Sequence, residues 1–383
     1  MTPAARHQAA IDILDQIAGG QAAEQALTRW ARGARYAGSK DRAAVRDIVF
    51  AVLRARQSCA VLGGGTDGRA LVLGLLRMSD TPPDEVFTGA GHAPAPLTEP
   101  ERGRLAMAVH GLPADLPEWL VPDLQQSLAE MFPTYCETMR RRAPVFLRVN
   151  ALKTTPDQAL ASLAAEGIAC TPHPDLPGAL RVDQNARKVA QSAAYRDGLV
   201  ELQDAASQAI VAGLPLAPGS RVLDYCAGGG GKTLGLAAAV NGPVAAWDVD
   251  THRMADLPAR AARAGAEVTV LAQPEGPYDL ILCDAPCSGS GTWRRAPEGK
   301  WRLTRAALDD LLAVQLSILT DAARRVAPGG ALAYATCSVL TAENRGATER
   351  FLGTAPEWQV SRETTLLPGD WGDGFYLAVL TRR

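Results

Sequence analysis

The 383-residue sequence holds no stretch of eighteen apolar residues. That excludes an ordinary membrane-spanning helix, and no membrane partner is expected. No apolar signal core stands near the N-terminus, where Arg6, His7 and Asp12 occur instead, so no secretion is expected. No Cys-x-x-Cys pair occurs, and no histidine lies near Cys283 or Cys287, so the usual zinc spacings are missing and no metal is expected. The seven cysteines are Cys59, Cys136, Cys170, Cys226, Cys283, Cys287 and Cys337. Their odd number and irregular spacing argue against a disulfide framework and for reduced thiols in a cytoplasm. No long charged or Gly/Ser-rich tail reads as disorder, and no internal repeat is found.

What is present is a chain long enough for two or three domains, with 47% apolar residues to build their cores. The net charge of −2 hides an uneven distribution. Residues 1–77 carry eleven Lys/Arg against six Asp/Glu, residues 78–137 two against ten, and residues 138–200 nine against five. Two basic blocks therefore flank an acidic one. Any single charge is best read as part of a solvated face, but two blocks beside an enzyme-like half lean towards a polyanion partner.

The first part reads as helical. Ala10, Ile13, Leu14 and Ile17 recur at helical spacing. Ser39 is expected to cap a second helix with Val45, Ile48, Val49, Val52 and Leu53 on one stripe. Arg42, Arg46, Arg54 and Arg56 lie off that stripe, free for solvent or phosphate. Residues 81–100 are rich in Pro and Gly and read as a loop, and 116–128 as a short apolar linker and a further helix. Three domains are expected: a helical one with its linker over 1–137, a small α/β module over 138–200, and an α/β domain over 201–383. The module opens on VFLRVN (145–150). The last domain alternates strands with helices: RVLDY, VAAWD, VTVL, DLILCD, ALAYAT and FYLAVL. That order predicts a doubly wound sheet, which binds ligands at the carboxyl ends of its strands.

Three motifs end such strands. In the first, Asp224-Tyr-Cys-Ala-Gly-Gly-Gly-Gly-Lys-Thr233, Cys226, Ala227, Gly228, Gly229, Gly230, Gly231 and Lys232 form a turn that opens a helix. Glycines let the backbone approach a ligand, and the helix start offers free N–H groups. It is not a P-loop, because the first required glycine is Cys226, and it does not fit the dinucleotide G-x-G-x-x-G either. Asp248 ends the next strand, placed to accept from ribose hydroxyls, and Arg253, five residues on, can orient it. The second motif, Asp284-Ala-Pro-Cys-Ser-Gly-Ser-Gly291, and the third, Thr336-Cys-Ser338, each set a cysteine at a strand end. Adjacent strands would bring Cys287 and Cys337 to one rim. A lone cysteine is usually a small buried hydrophobe, and Cys59, Cys136, Cys170 and Cys283 keep that reading. Arg294, Arg295, Lys300 and Trp301 follow the second motif, and this basic, tryptophan-containing run suits RNA contacts or a solvated loop with one buried Trp.

These motifs resemble the Nol1/Nop2/Sun family of RNA cytosine-5 methyltransferases, from about Ala143 to Arg383. PVFLRVNALKTT (144–155), GLVELQDAASQ (198–208), DAPCSGSG, TCS and DGFYLAVL (373–380) carry the likeness. Residues 1–130, through GSKDRAAVRDIVFAVLR (38–54), resemble the NusB-like RNA-binding domain of the bacterial Sun/RsmB-type members, which act on 16S rRNA. The resemblance implies a Rossmann-like, class I S-adenosylmethionine-dependent fold with an antiparallel last strand. It implies a cytoplasmic protein, expected as a monomer, with 16S rRNA or a small-subunit assembly intermediate as partner. It assigns Cys337 as the nucleophile at C6 of cytosine, Cys287 to product release and Asp284 to holding the ring. The glycine turn, Lys232, Asp248, Arg253 and Asp284 would bind S-adenosylmethionine. Two departures stand out: Gly229 replaces the family's usual proline, and VLAQPEGPYD (270–279) lacks the Asp that often follows the third strand. A transfer-RNA substrate, a non-catalytic assembly factor and a small-molecule methyltransferase stay open as alternatives.

Overall fold

The computed structural model describes every residue except His110. The chain divides into two compact units. One comprises Met1–Arg142 with Trp293–Arg302, the other Ala143–Thr292 with Leu303–Arg383.

The first unit is helical. Its core helices are α1 (Pro3–Ala18), α2 (Ala23–Gly33), α3 (Ser39–Arg54), α4 (Arg56–Gly63) and α5 (Gly68–Met78). Pro3 fits the first turn of α1, and the Thr2 hydroxyl accepts from the Ala5 N–H at 3.1 Å. The expected stripes meet in one core: Ile13, Leu14, Val45, Val49 and Val52 are buried, with Ile17 and Ile48 packed at its margin. α4 and α5 approach backbone to backbone, because a Cβ on Gly74 would lie 1.9 Å from the Cys59 carbonyl oxygen. One expectation is corrected. Ser39 is the first residue of α3, and Gly38 takes the cap position. The Asp41 carboxylate holds the Gly38 N–H at 3.1 Å, and a charged acceptor serves better there than the Ser39 hydroxyl.

The segment WRRAPEGKW is a second correction. It is not a solvated RNA-contact loop, for Trp293, Arg294 and Lys300 are buried. The segment caps helix ends within this unit. Lys300 Nζ donates to the Arg54 carbonyl and Trp301 Nε1 to the Leu53 carbonyl, both at 2.7 Å, where α3 runs out of partners. Glu298 accepts from the Ala23 N–H at the start of α2, at 3.1 Å. Arg54, expected in solvent, donates through Nε to the Arg294 carbonyl at 2.7 Å, and burial draws its pKa down to about 10.

Burial also lowers Lys300, to about 7, with Asp115 pulling it up and Arg140 pushing it down. A folded pKa below the unfolded one means that the unfolded chain binds the extra proton. Stability from this residue is therefore full above its ordinary 10.5 and is lost as pH falls towards 7. Relative to Lys300→Met, the wild type should gain about 2–3 kcal/mol between pH 7.5 and 9.5, read by denaturant unfolding. An unchanged difference across that range would refute the burial argument.

The second unit holds two sheets. The smaller consists of β1 (Val145–Val149), β2 (Cys170–Pro172), β3 (Ala179–Val182) and β4 (Val200–Leu202), in the order β2-β3-β1-β4 and antiparallel throughout. The larger contains β5 (Val222–Asp224), β6 (Val244–Ala246), β7 (Val268–Val270), β8 (Tyr278–Asp284), β9 (Val326–Thr336), β10 (Trp358–Leu366) and β11 (Phe375–Arg382), in the order β10-β11-β9-β8-β5-β6-β7. This is the expected doubly wound sheet. β5 to β9 run parallel, and β11 enters antiparallel beside β9. The central strands read as apolar runs because helices cover both faces; Leu280, Ile281, Leu282 and Cys283 are all buried. The chain steps from β5 to β6 and β7, then returns to the other side of β5 as β8. That reversal opens the crevice between the ends of β5 and β8. Among the described residues, no single helix is long and apolar enough to cross a membrane.

Candidate active site

The glycine turn leaves β5 and opens the helix Gly231–Val240. Gly228 and Gly230 have φ of +49° and +81°, which L side chains rarely adopt. Asp248, at 2% exposure, reaches under the turn from the end of β6. Its Oδ2 accepts from the Gly228 N–H at 2.9 Å and its Oδ1 from the Asp250 N–H at 3.0 Å. Arg253 lies 3.2 Å from Asp248, in the orienting place expected for it. Cys226 and Ala227 lead into the turn, and Ala227 bonds to the Trp247 carbonyl at 3.0 Å. Burial drives the Cys226 thiol well above its ordinary pKa, so it stays a thiol. Gly229, where a proline was expected, is held from outside: Arg260 donates to its carbonyl. Arg260 is itself paired with buried Glu201 of β4 at 3.4 Å, and Glu201 also holds Arg263 at 2.6 Å.

β8 and β9 are neighbours, with Asp284 level with Ala335. The loops beyond them bring the two motif cysteines together, Sγ to Sγ 3.4 Å apart. Gly291 donates to the Cys337 carbonyl at 2.9 Å and fastens one loop to the other. A side chain at Gly291 would strike the Gly374 carbonyl oxygen at 2.2 Å, so only glycine fits. The remaining thiols stay apart from this pair; Cys59, Cys136 and Cys283 are buried.

The electrostatics separate the two sulfurs. Hydrogen bonding to Cys337, then burial, raises the Cys287 thiol well above its usual value. The same bond lowers Cys337 against its own burial, helped by the Lys232 ammonium. Cys287 is thus the donor and Cys337 the thiolate-prone partner. Lys232 is buried and bonds Asp284 Oδ2 at 2.7 Å. Burial pulls its pKa down, but the Asp284 charge and hydrogen bond outweigh it and leave it raised. Its Nζ also lies 4.8 Å from the Phe375 ring centre.

Asp224 and Thr233, at the two ends of the first motif, and Glu343, outside any motif, complete the site. Asp224 ends β5 fully buried, and burial raises its carboxyl to about 7 against the pull of the Thr233 hydroxyl. Thr233 donates to Oδ2 at 2.7 Å, whereas Oδ1 has no hydrogen-bond partner among the described residues. Glu343, fully buried, accepts from the Ser288 N–H at 2.7 Å and from the Ser338 hydroxyl at 2.5 Å, and so joins both cysteine loops. The serine after each cysteine was the one visible hint of this hub. Gln273 is exposed beyond β7.

Residues 211–380 match the family described as 16S rRNA methyltransferase RsmB/F, and residues 116–189 match its ferredoxin-like domain. The protein called ribosomal RNA small subunit methyltransferase B in Salmonella arizonae is 37% identical over 286 residues, 70% of this chain and 66% of that protein. The protein of the same name in Salmonella typhi is 36% identical over the same shares. The match thus spans 66% of the length of these relatives. Among solved structures, PH0851 aligns with a TM-score of 0.78 and 21% identity, covering 100% of this chain and 99% of its own. NSun6 from Pyrococcus horikoshii, solved with SFG, aligns with a TM-score of 0.62 and 16% identity, covering 70% of this chain and 98% of its own. At such identities these structures speak for the fold alone.

Proposed function

Because the chain belongs to the RsmB/F family of 16S rRNA methyltransferases, we propose that it methylates C5 of a cytosine in 16S rRNA with S-adenosylmethionine as donor. The observation that carries this reading is the Cys287–Cys337 pair, 3.4 Å apart beside the Lys232–Asp284 ion pair. A donor of methyl groups alone needs no such pair of thiols.

The residues present fit the cofactor. The glycine turn and the start of the helix Gly231–Val240 would take its amino-acid end, where the partnerless Oδ1 of Asp224 suits an ammonium. Asp248 would accept from the ribose hydroxyls, with Arg253 holding it in place. Val249, 84% exposed just after Asp248, offers apolar surface to the adenine. When bound, S-adenosylmethionine supplies an electrophilic methyl group on a sulfonium.

The protein side of the chemistry follows from the charges. C5 of cytosine is a weak nucleophile. The Cys337 thiolate bonds to C6, which breaks the ring's aromaticity and puts electron density on C5. Asp284, steadied by Lys232, holds the ring at N3 or N4 while that charge develops. Once C5 carries the methyl, its proton passes to water as base, the electron pair re-forms the C5–C6 double bond, and the C6–sulfur bond breaks to restore the thiolate. Cys287, the protonated partner 3.4 Å away, serves this release by donating to the departing Cys337 sulfur. The base must be unstacked to reach Cys337, which favours a single-stranded or loop target.

The test is label from methyl-tritiated S-adenosylmethionine, offered with deproteinised small-subunit rRNA and with small-subunit particles. Digestion to nucleosides should place the label in 5-methylcytidine. Label in any other nucleoside, or none with either substrate, would overturn the reading.

A further inference from the structure

The second unit carries a cleft of about 400 Å³ that the chemistry above does not use. The helix Ala205–Ala212 lines it through Ala205 and Ala209. Trp371, His173, Leu366 and Leu367 also line it. Two carboxylates, Asp175 and Asp370, stand exposed in its lining.

The walls are held rigid. His173 Nδ1 accepts from the Asp175 N–H at 3.1 Å, which leaves the proton on Nε2 to donate to the Trp371 carbonyl at 3.2 Å. The Arg181 guanidinium covers the Trp371 ring at 4.3 Å. Asp204 Oδ1 accepts from both the Ala206 and Asp373 N–H groups, at 2.9 and 3.0 Å, and so pins the turn between β10 and β11 to the helix.

The turn that lines the cleft lies at the same rim of the sheet as the cysteine site, since Tyr376 stands level with Thr336, the residue before Cys337. Ala206, on its wall, shares an apolar cluster with Phe375, and Cys337 packs against that cluster. Phe375 is the residue whose ring faces Lys232, and it lies two residues beyond Asp373. Gly374, between them, donates to the Gly291 carbonyl at 2.9 Å.

A slot lined by alanines, leucines and Trp371 suits an aromatic ring. Carboxylates in its lining repel phosphate and accept from amino groups. We propose that this slot receives an unstacked nucleobase of the RNA strand next to the target cytosine, and that it favours bases with an exocyclic amine. The inference rests on the RNA reading above and adds a second base subsite to it. The strand would run along that rim, one base entering the cysteine site and a neighbour entering the slot.

The test is binding of fluorescently labelled adenosine and uridine nonamers to the full chain, followed by anisotropy. Adenine has the amine, uracil lacks it, and neither is the target base. The wild type should hold the adenosine strand about tenfold more tightly, in line with the loss of one base contact. Ala209→Phe fills the slot without removing an interior side chain and should bring the adenosine strand down to the uridine level. Asp370→Ala, an exposed change, should shrink the preference between the two strands. An equal affinity for both strands in the wild type, or a preference that survives Ala209→Phe, would overturn the proposal. So would polylysine bound by the wild type and lost in Ala209→Phe with both RNAs unaffected, since the slot would then take a basic protein segment. Methylation of rRNA is measured on the same samples. Its failure would count against the proposed reaction, whereas base preference reports on the slot alone.

Discussion

Cys337→Ala should abolish methyl transfer, a loss of about 10⁴-fold or more, while Cys287→Ala should leave RNA covalently attached to the protein. The two outcomes differ because the sulfurs differ in charge. In the proposed reaction Cys337 attacks, because its hydrogen bond from Cys287, with Lys232, lowers it against burial and the Asp284 charge, while Cys287 is raised and stays protonated. Removing Cys287 also takes away a donor to the attacking thiolate, so the adduct should form more slowly than in the wild type. Once formed, it should persist, because the thiol that serves release is gone. On a denaturing gel, Cys287→Ala should give a slower, nuclease-sensitive band that is absent from Cys287→Ala/Cys337→Ala. Sequencing the trapped RNA would name the target. No band, with wild-type protein that methylates RNA, would mean that the cysteine roles are misassigned. A band in Cys337→Ala instead would mean that they are reversed.

The parts of this site that could be foreseen are those fixed by backbone position. A cysteine directly after ALAYAT and another just beyond DLILCD had to lie at strand ends, and neighbouring parallel strands then bring them to one rim. Asp248 could be placed by the same logic. β10 could not: its residues alternate between sheet face and solvent but are mostly polar, as an exposed edge strand requires, and no apolar pattern marks it. The run WRRAPEGKW misled because composition does not say where a charge goes. Lys300 and Trp301 spend their N–H groups on the last carbonyls of a helix some 250 positions earlier in the sequence, a pairing that no local pattern reveals. Arg260 was silent for a similar reason. Its partners, Glu201 and the Gly229 carbonyl, come together through the packing of separate elements and not through any local spacing.

Glu343 is the case in which a residue without a motif should matter most after the cysteines. It is fully buried, and both oxygens of its carboxylate are in use. Oε1 takes the Ser288 N–H at 2.7 Å and Gln315 Nε2 at 3.1 Å, while Oε2 takes the Ser288 and Ser338 hydroxyls. Gln315 in turn donates to the Pro286 carbonyl at 3.0 Å, one residue before Cys287. Each cysteine is therefore followed by a serine tied to the same carboxylate, and the 3.4 Å separation of the sulfurs depends on that knot. Glu343→Ala strands a buried N–H, two hydroxyls and an amide. The expected cost is about 2–4 kcal/mol of stability, read as a fall in Tm. The activity loss should exceed what unfolding explains, by about 100-fold at a temperature where the variant is folded, because loosened loops no longer hold the thiols in register. Glu343→Gln separates the two effects. It keeps the shape and one acceptor oxygen, so stability should return in large part. Its amide nitrogen, however, puts a donor where the carboxylate put an acceptor, so the serines must lose a bond on the Oε1 side or turn their hydroxyls on the other. Thiol titration of the folded variants should then show Cys287 and Cys337 reacting faster than in the wild type. A Glu343→Ala protein that keeps wild-type turnover, with its thiols no more reactive, would mean that the loops hold each other without the carboxylate.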